Sequence, residues 1–320
     1  MAGGYHDDRF VEGTDNKDAY IFSRWECVDI FVYFSHHFVT IPPVCWTNAG
    51  HVHGVQVLGN RQPNICLSVF FHAFLLLVKP AMITVFLSVS GTIISEWDDG
   101  YKLWDEILSS SEKDRDHLID IFCRIMNHFG FDGWLFNVEN RIDIDKIPTL
   151  VDFVRKLTRA TKEVRMGYLY LGKLFGYRSC GMNAAFGLRG PRIIDLSLTS
   201  LKQHRGDKGL VIWYDSVTRE GKLRWQDALN VKNRCFFDAC DGIFLNYTWK
   251  PEKHLEQSVI EAGERLKDVF VGVDVFGRNC FGGGGWNTRA AVREATSRGL
   301  SVAIFAQGRT FVEILTLTCE

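Results

Sequence analysis

An α/β fold, with a parallel sheet closed as a (β/α)8 barrel of TIM type, is what this chain predicts, for three reasons. Short apolar runs recur along its 320 residues. Longer amphipathic stretches separate them. Polar and aromatic residues gather at the end of nearly every run. Strands alternating with helices argue for parallel βαβ units, and in a closed barrel the strand C-termini build the active face. With 46% hydrophobic residues, nine Trp and 24 Phe, one sizeable core can be filled, and residues 1–320 are taken as a single domain.

In chain order, Val28-Asp29-Ile30-Phe31-Val32-Tyr33-Phe34-Ser35 is the first strand-like run, ending at His36-His37. His53-Gly54-Val55-Gln56-Val57-Leu58-Gly59 is the second, and its alternation breaks off abruptly. Ser111 to Phe129 reads as a helix, with Leu118, Ile121, Phe122 and Ile125 at spacings of three and four on one face. It leads into the run Phe131-Asp132-Gly133-Trp134-Leu135-Phe136-Asn137-Val138-Glu139-Asn140. A second helix spans Ile147 to Glu163. Further strands follow at Leu210 to Ser216, Gly242 to Trp249, Val269 to Phe276 and Ser301 to Ala306. Two segments fall outside this rhythm. Asn60 to Gly91 holds an apolar run, Ile65 to Val78, that stops at Lys79-Pro80, short of the roughly 20 residues a membrane span needs. Val164 to Gln203 is rich in Gly, Arg and Leu and carries no chemical motif.

Composition narrows the functional classes. A formal net charge of −1 leaves no electrostatic footprint for nucleic acid or an anionic membrane. The nine Cys are odd in number, scattered and free of any C-x-x-C pair, which suits reduced thiols and a cytosolic location. Met1 to Arg9 carries acidic residues where a signal peptide would be basic and then apolar.

The pair Asn137 and Glu139 is the leading chemical feature. Residues two apart on a strand share a face, with Cα atoms roughly 6.5–7 Å apart, so one strand end offers a proton carrier beside an amide. The run Phe281-Gly282-Gly283-Gly284-Gly285-Trp286 lacks both the Lys-Ser/Thr ending of a Walker loop and a G-x-G-x-x-G register, and reads as a loop flanked by aromatics. His36-His37 and His51-Val52-His53 have no Cys or carboxylate at zinc-ligand spacing and read as hydrogen-bonding histidines. No G-x-S-x-G elbow is present.

The stretch Asp132-Gly133-Trp134-Leu135-Phe136-Asn137-Val138-Glu139 resembles the signature of glycoside hydrolase family 85, the cytosolic endo-β-N-acetylglucosaminidases. Further segments resemble that family in the same order: Gly3-Gly4-Tyr5, Asp29 to His37, Ile41-Pro42-Pro43, His53 to Gly59, Ser95-Glu96-Trp97, Trp213-Tyr214-Asp215-Ser216, Trp225-Gln226-Asp227, Phe237-Asp238, Asn246-Tyr247-Thr248-Trp249 and Gly272 to Arg278. Most glycosidases set two carboxylates across the scissile bond, whereas here the partner of Glu139 is an amide. The resemblance implies substrate assistance. Asn137 orients the substrate's own acetamido group for attack, and Glu139 serves as acid and then base. Tyr214 contacts the acetamido group, and Trp97, Trp225, Asn246 and Trp249 bind the sugars. The implied substrate is an N-glycan or glycoprotein, high-mannose or free, cut within its GlcNAc-β-1,4-GlcNAc core, with no metal, cofactor, nucleic acid or membrane involved. An inactive glycan-binding chain of the same family is the alternative.

Departures from the family are also legible. Its members carry a barrel strand ahead of Gly3-Gly4-Tyr5, and a Pro-Gly-Trp segment where this chain reads Gln307-Gly308-Arg309. The expectation is therefore a barrel incomplete at both ends, with open edges. Removing residues 60–91 joins Leu58-Gly59 to Thr92-Ile93-Ile94, and removing 164–203 joins Glu163 to His204, in each case restoring family spacing. Glu163-Val164-Arg165 and Leu87 to Gly91 can be encoded by splice-donor-like and acceptor-like sequences, so translated retained introns account for both segments.

Overall fold

The computed structural model describes residues 15, 22, 25–34, 36, 38–58, 92–175 and 209–305, with side chains left undescribed in the helix beyond 163. Gly3-Gly4-Tyr5, His37, Gly59, residues 60–91, residues 176–208 and the chain from 306 onward lie outside that set, so the apolar run Ile65 to Val78 does too. Among the described residues, nine strands form one sheet: β1 (Ile30–Val32), β2 (Val39–Thr40), β3 (Gln56–Leu58), β4 (Thr92–Glu96), β5 (Gly133–Glu139), β6 (Leu210–Tyr214), β7 (Gly242–Leu245), β8 (Val269–Asp274) and β9 (Ser301–Phe305). The helices are α1 (Val44–Val52), α2 (Trp97–Ser109), α3 (Glu112–Phe129), α4 (Ile147–Phe175), α5 (Arg234–Phe237), α6 (Glu256–Ala262) and α7 (Thr288–Thr296).

The expected helix from Ser111 is present and its ends are set by sequence. Ser111 Oγ accepts from the Asp114 N–H, and Gly130 ends the helix in the left-handed region at φ 71°, a conformation that glycine adopts without a Cβ penalty. Its buried face is Leu118, Ile119, Ile121, Phe122, Cys123 and Met126. The next strand then begins at Gly133 because β6 comes too close for any other residue: a Cβ there would stand 1.9 Å from the Leu210 carbonyl oxygen.

The sheet runs β1-β3-β5-β6-β7-β8-β9, all neighbours parallel, with β4 also on β5 and the two-residue β2 antiparallel to β4. β3 and β4 lie end to end along one edge of β5. Leu58 pairs with Gly133 and Thr92 with Leu135, so a single residue position separates them in the ladder. The sheet curls on itself. Ile30 and Val32 of β1 pack with Leu135, Ile212, Phe244 and Phe270 of the strands β5 to β8 in one interior cluster. The outward faces of the strands and the helices share a second, larger cluster that includes Trp104, Phe122, Trp134, Phe136, Phe153, Trp213 and Phe236. Among the described residues no ladder joins β9 to β1; side chains meet there instead, with the rings of Phe34 and Phe305 5.8 Å apart. The α/β barrel expectation thus holds, with its circumference not closed by hydrogen bonds over the described residues. No helix among them is long and apolar enough to cross a membrane.

Candidate active site

Alternation along β5 sends Trp134, Phe136 and Val138 outward into the helix-covered core, while Leu135 faces the interior. Asn137 and Glu139 follow Leu135 on that inner face. Asn137 Nδ2 donates to Glu139 Oε1 at 2.9 Å, which fixes the amide so that Oδ1 points away from the carboxyl. Asn137 is 3% exposed, and its Oδ1 is buried without a hydrogen-bond partner. Leaving a buried acceptor unpaired costs about 1–3 kcal/mol, a cost that a site recovers when a donor arrives. The Glu139 carboxyl is held above its ordinary range chiefly by burial, with a further push from Glu96, against the hydrogen bond from Asn137 and the pull of His36. A carboxyl raised in this way is suited to hold a proton and deliver it.

Tyr214, at the end of β6, is 7% exposed. Its hydroxyl donates to Asn246 Oδ1 at 3.0 Å, and Asn246 Nδ2 donates to Asp227 Oδ1 at 2.7 Å. Asp227 also accepts from the Thr248 N–H at 3.0 Å and hydroxyl at 2.8 Å, so it decides which end of the Asn246 amide meets Tyr214. It sits in the left-handed region at φ 57°, pinned there by its own N–H to Asp215 Oδ2 at 2.8 Å. Gln226 N and Asn233 Nδ2 also bond Asp215, at 2.9 and 3.0 Å. Burial still pushes that carboxyl up to about 7. Burial likewise raises the Tyr214 hydroxyl, with its neighbours Tyr247 and Glu139 pushing the same way, which keeps it a neutral phenol beside the carboxyl.

The four expected sugar-binding residues do not behave alike. Trp97 is 74% exposed and Trp225 41%; Trp97 opens α2 directly after β4, and Trp225 lies on the loop that follows β6. Trp97 adopts φ 56°, a rare conformation for a bulky residue that structures retain mainly at functional sites. Asn246 is half-buried and committed to Tyr214 and Asp227. Trp249 does not fit the expectation: it is 2% exposed, its indole N–H donates to the Gly272 carbonyl at 2.6 Å, and its ring stacks on Phe281 at 5.3 Å. It is part of the wall, with no face free for a sugar.

Glu96, His36 and Tyr247 also border the site; His36 is expected from sequence only as a hydrogen-bonding histidine, which its contact with Glu96 bears out, and Glu96 and Tyr247 carry no expected role. Glu96 and Tyr247 sit inside motifs quoted for the resemblance, but only the strand order shows that they face Glu139. His51 and His53 are occupied elsewhere. His51 Nε2 lies 2.7 Å from Asp132 Oδ2, and the His53 ring stacks on Trp25. No group of three His, Cys, Asp or Glu that could hold a metal occurs among the described residues. Among the described residues the arrangement offers a buried carboxyl with a second one beside it, one unpaired amide oxygen and two phenols, opening on exposed indoles.

The sequence pattern described as Glycosyl hydrolase family 85 matches residues 5–62 and 84–316. A protein from Gallus gallus named cytosolic endo-beta-N-acetylglucosaminidase is 39% identical over 308 residues, 96% of this chain and 32% of that one. Its Homo sapiens namesake is 37% identical, with 96% and 32% covered. Cytosolic endo-beta-N-acetylglucosaminidase 1 of Arabidopsis thaliana is 38% identical, with 96% and 34% covered. The chain thus spans about a third of the length of these relatives. Among solved structures, the glycoside hydrolase domain of Endo-D from Streptococcus pneumoniae R6 superposes with a TM-score of 0.53 at 17% identity, covering 94% of this chain and 37% of that one. A Rhizomucor miehei chitinase superposes at 0.50 with 9% identity, covering 93% and 95%. At these identities the two structures speak to fold alone.

Proposed function

The chain belongs to glycosyl hydrolase family 85, and from that premise we propose that it is an endo-β-N-acetylglucosaminidase cutting the GlcNAc-β-1,4-GlcNAc core of high-mannose or free N-glycans. The observation that carries this reading is the buried, unpaired Oδ1 of Asn137 beside Glu139. An amide cannot be the nucleophile, but that oxygen can accept the N–H of a 2-acetamido group. The acetamido carbonyl oxygen of the mannose-bearing GlcNAc then attacks its own anomeric carbon, the bond to the leaving oxygen breaks, and Glu139 supplies the proton that oxygen needs. Glu139, now ionised, takes a proton from water as the water opens the oxazolinium ring, so configuration is retained after two displacements. Tyr214, oriented through Asn246 and Asp227, bounds the acetamido pocket. Trp97 and Trp225 offer faces for sugar stacking.

Relatives named cytosolic, together with the scattered cysteines of the sequence and its lack of a C-x-x-C pair, support a cytosolic site of action. Incubation with a high-mannose glycopeptide and mass spectrometry should give a peptide keeping a single GlcNAc. Binding of the glycopeptide without any cleavage would replace this reading with that of an inactive glycan-binding chain.

We also propose that the chain is one barrel domain carrying inserts at 60–91 and 164–203. The register supports the first: Leu58 pairs with Gly133 and Thr92 with Leu135, two positions apart on β5, and with 60–91 taken out one residue of sequence joins Leu58 to Thr92. The family match also stops at 62 and resumes at 84, although it runs through the second segment. For that segment, a Cβ on Gly209 would lie 2.5 Å from the Thr161 carbonyl oxygen, so the start of β6 abuts α4 near Glu163. Without 164–203, residues His204 to Lys208 bridge the gap, within the usual length of an αβ loop. Deleting both segments should raise soluble yield. An unchanged or lower yield would mean that they are integral to the fold.

A further inference from the structure

The strand order brings a second carboxylate to the first. Glu96, the last residue of β4, is the register partner of Glu139, the last residue of β5. Paired residues of adjacent parallel strands point to the same side of the sheet, on backbones about 4.8 Å apart, so Glu96 stands on the inner rim beside Glu139. Both Glu96 carboxylate oxygens face His36 Nδ1, at 3.3 and 3.2 Å. His36 follows β1, and its ring lies edge-on to Phe34 at 5.2 Å. The Glu96 side chain is 22% exposed against 73% for His36, so the carboxylate is the more sheltered member of the pair.

We propose that Glu96, clasped by His36, is a positioning residue for Glu139: its charge keeps the proton on Glu139 until the leaving oxygen takes it. The inference rests on the reading of Glu139 as the acid. Other groups facing Glu139 cannot take this part. Asn137 on its own strand donates a hydrogen bond, which favours ionised Glu139. Tyr214 from β6 and Tyr247 after β7 are phenols whose hydroxyls burial holds up, hence neutral while Glu139 titrates. Asp274, in an ion pair with Arg278 at 2.8 Å, bears on Tyr247. The two charges bearing on Glu139 have opposite signs: Glu96 raises its proton affinity and protonated His36 lowers it.

Opposite signs give a test that a purely structural role would not pass. The Glu139 carboxyl is titrated by carbon-13 NMR in the full chain and in Glu96→Gln and His36→Gln variants. Glu96→Gln should lower the titration midpoint by about half a pH unit or more, the scale of a nearby like charge. His36→Gln should raise it by a smaller amount, because an exposed charge is screened. An unmoved or raised midpoint in Glu96→Gln overturns the proposal. If that variant does not fold, an unmoved or lowered midpoint in His36→Gln, a change on an exposed side chain, does the same. Hydrolysis separates this inference from the reading beneath it. A general acid loses activity as pH rises through its titration, so the basic limb of the pH–rate profile should follow the NMR midpoint. If the midpoint moves while the limb stays in place, the charge pair stands and Glu139 is not the acid.

Discussion

β5 is held on one side by five register pairs with β4 and on the other by four with β6, while β1 and β9, at the two ends of the same sheet, meet through side chains. There Phe34 sets its edge against Phe305, and Ile304 packs against the cluster of Phe22, Trp25, Tyr33, Trp46 and Val55. Backbone ladders fix strand position to within a fraction of an ångström, whereas ring contacts tolerate sliding. Catalytic geometry cannot tolerate it, since about 1 Å of misplacement can cost a hundredfold in rate. Asn137, Glu139, Glu96 and Tyr214 accordingly come from β4, β5 and β6. Among the described residues, His36 alone reaches the site from the seam.

The largest effect should come from the chemistry that the laddered half holds in place. Glu139→Gln keeps shape but cannot give up and retrieve a proton, and should lower hydrolysis of a natural glycan by about 10²–10⁴-fold with binding largely intact. A loss of less than about tenfold would remove Glu139 from the acid role. Packing should follow the same division. Phe236 is fully buried and stacked on Trp213 at 4.1 Å, so Phe236→Ala should cost about 3–5 kcal/mol in urea denaturation. Phe305 is half-buried and makes looser ring contacts, with Phe34 at 5.8 Å and Tyr247 at 5.9 Å. Phe305→Ala should cost less, about 2 kcal/mol. Equal costs would mean that the seam is as firmly built as the centre.

The same division separates what could be read in the sequence from what could not. Recurring apolar runs and the three-and-four spacing of Leu118, Ile121, Phe122 and Ile125 are local signals, and they located the later strands and α3. Helix α1 and the two-residue β2 escaped because Val39 to Val52 has weak periodicity around Pro42-Pro43. Asn137 and Glu139 were legible as a pair because a period of two suffices to put them on one face. Glu96 was not, since its relation to Glu139 exists only once β4 lies on β5. Trp225 and Trp249 look equivalent as residue types. Which of them shows a face to solvent is decided by the Gly272 carbonyl and the Phe281 ring that hold Trp249 in the wall.

Substrate assistance is tested most directly at Asn137. Asn137→Ala removes the amide oxygen that accepts the acetamido N–H and leaves Glu139 in place. This variant should lose hydrolysis of an N-glycan yet still transfer a preformed sugar oxazoline to an acceptor, because that donor has already passed the step Asn137 assists and Glu139 remains to deprotonate the acceptor. Normal hydrolysis by Asn137→Ala, or failure with the oxazoline to the same degree as Glu139→Gln, would contradict substrate assistance.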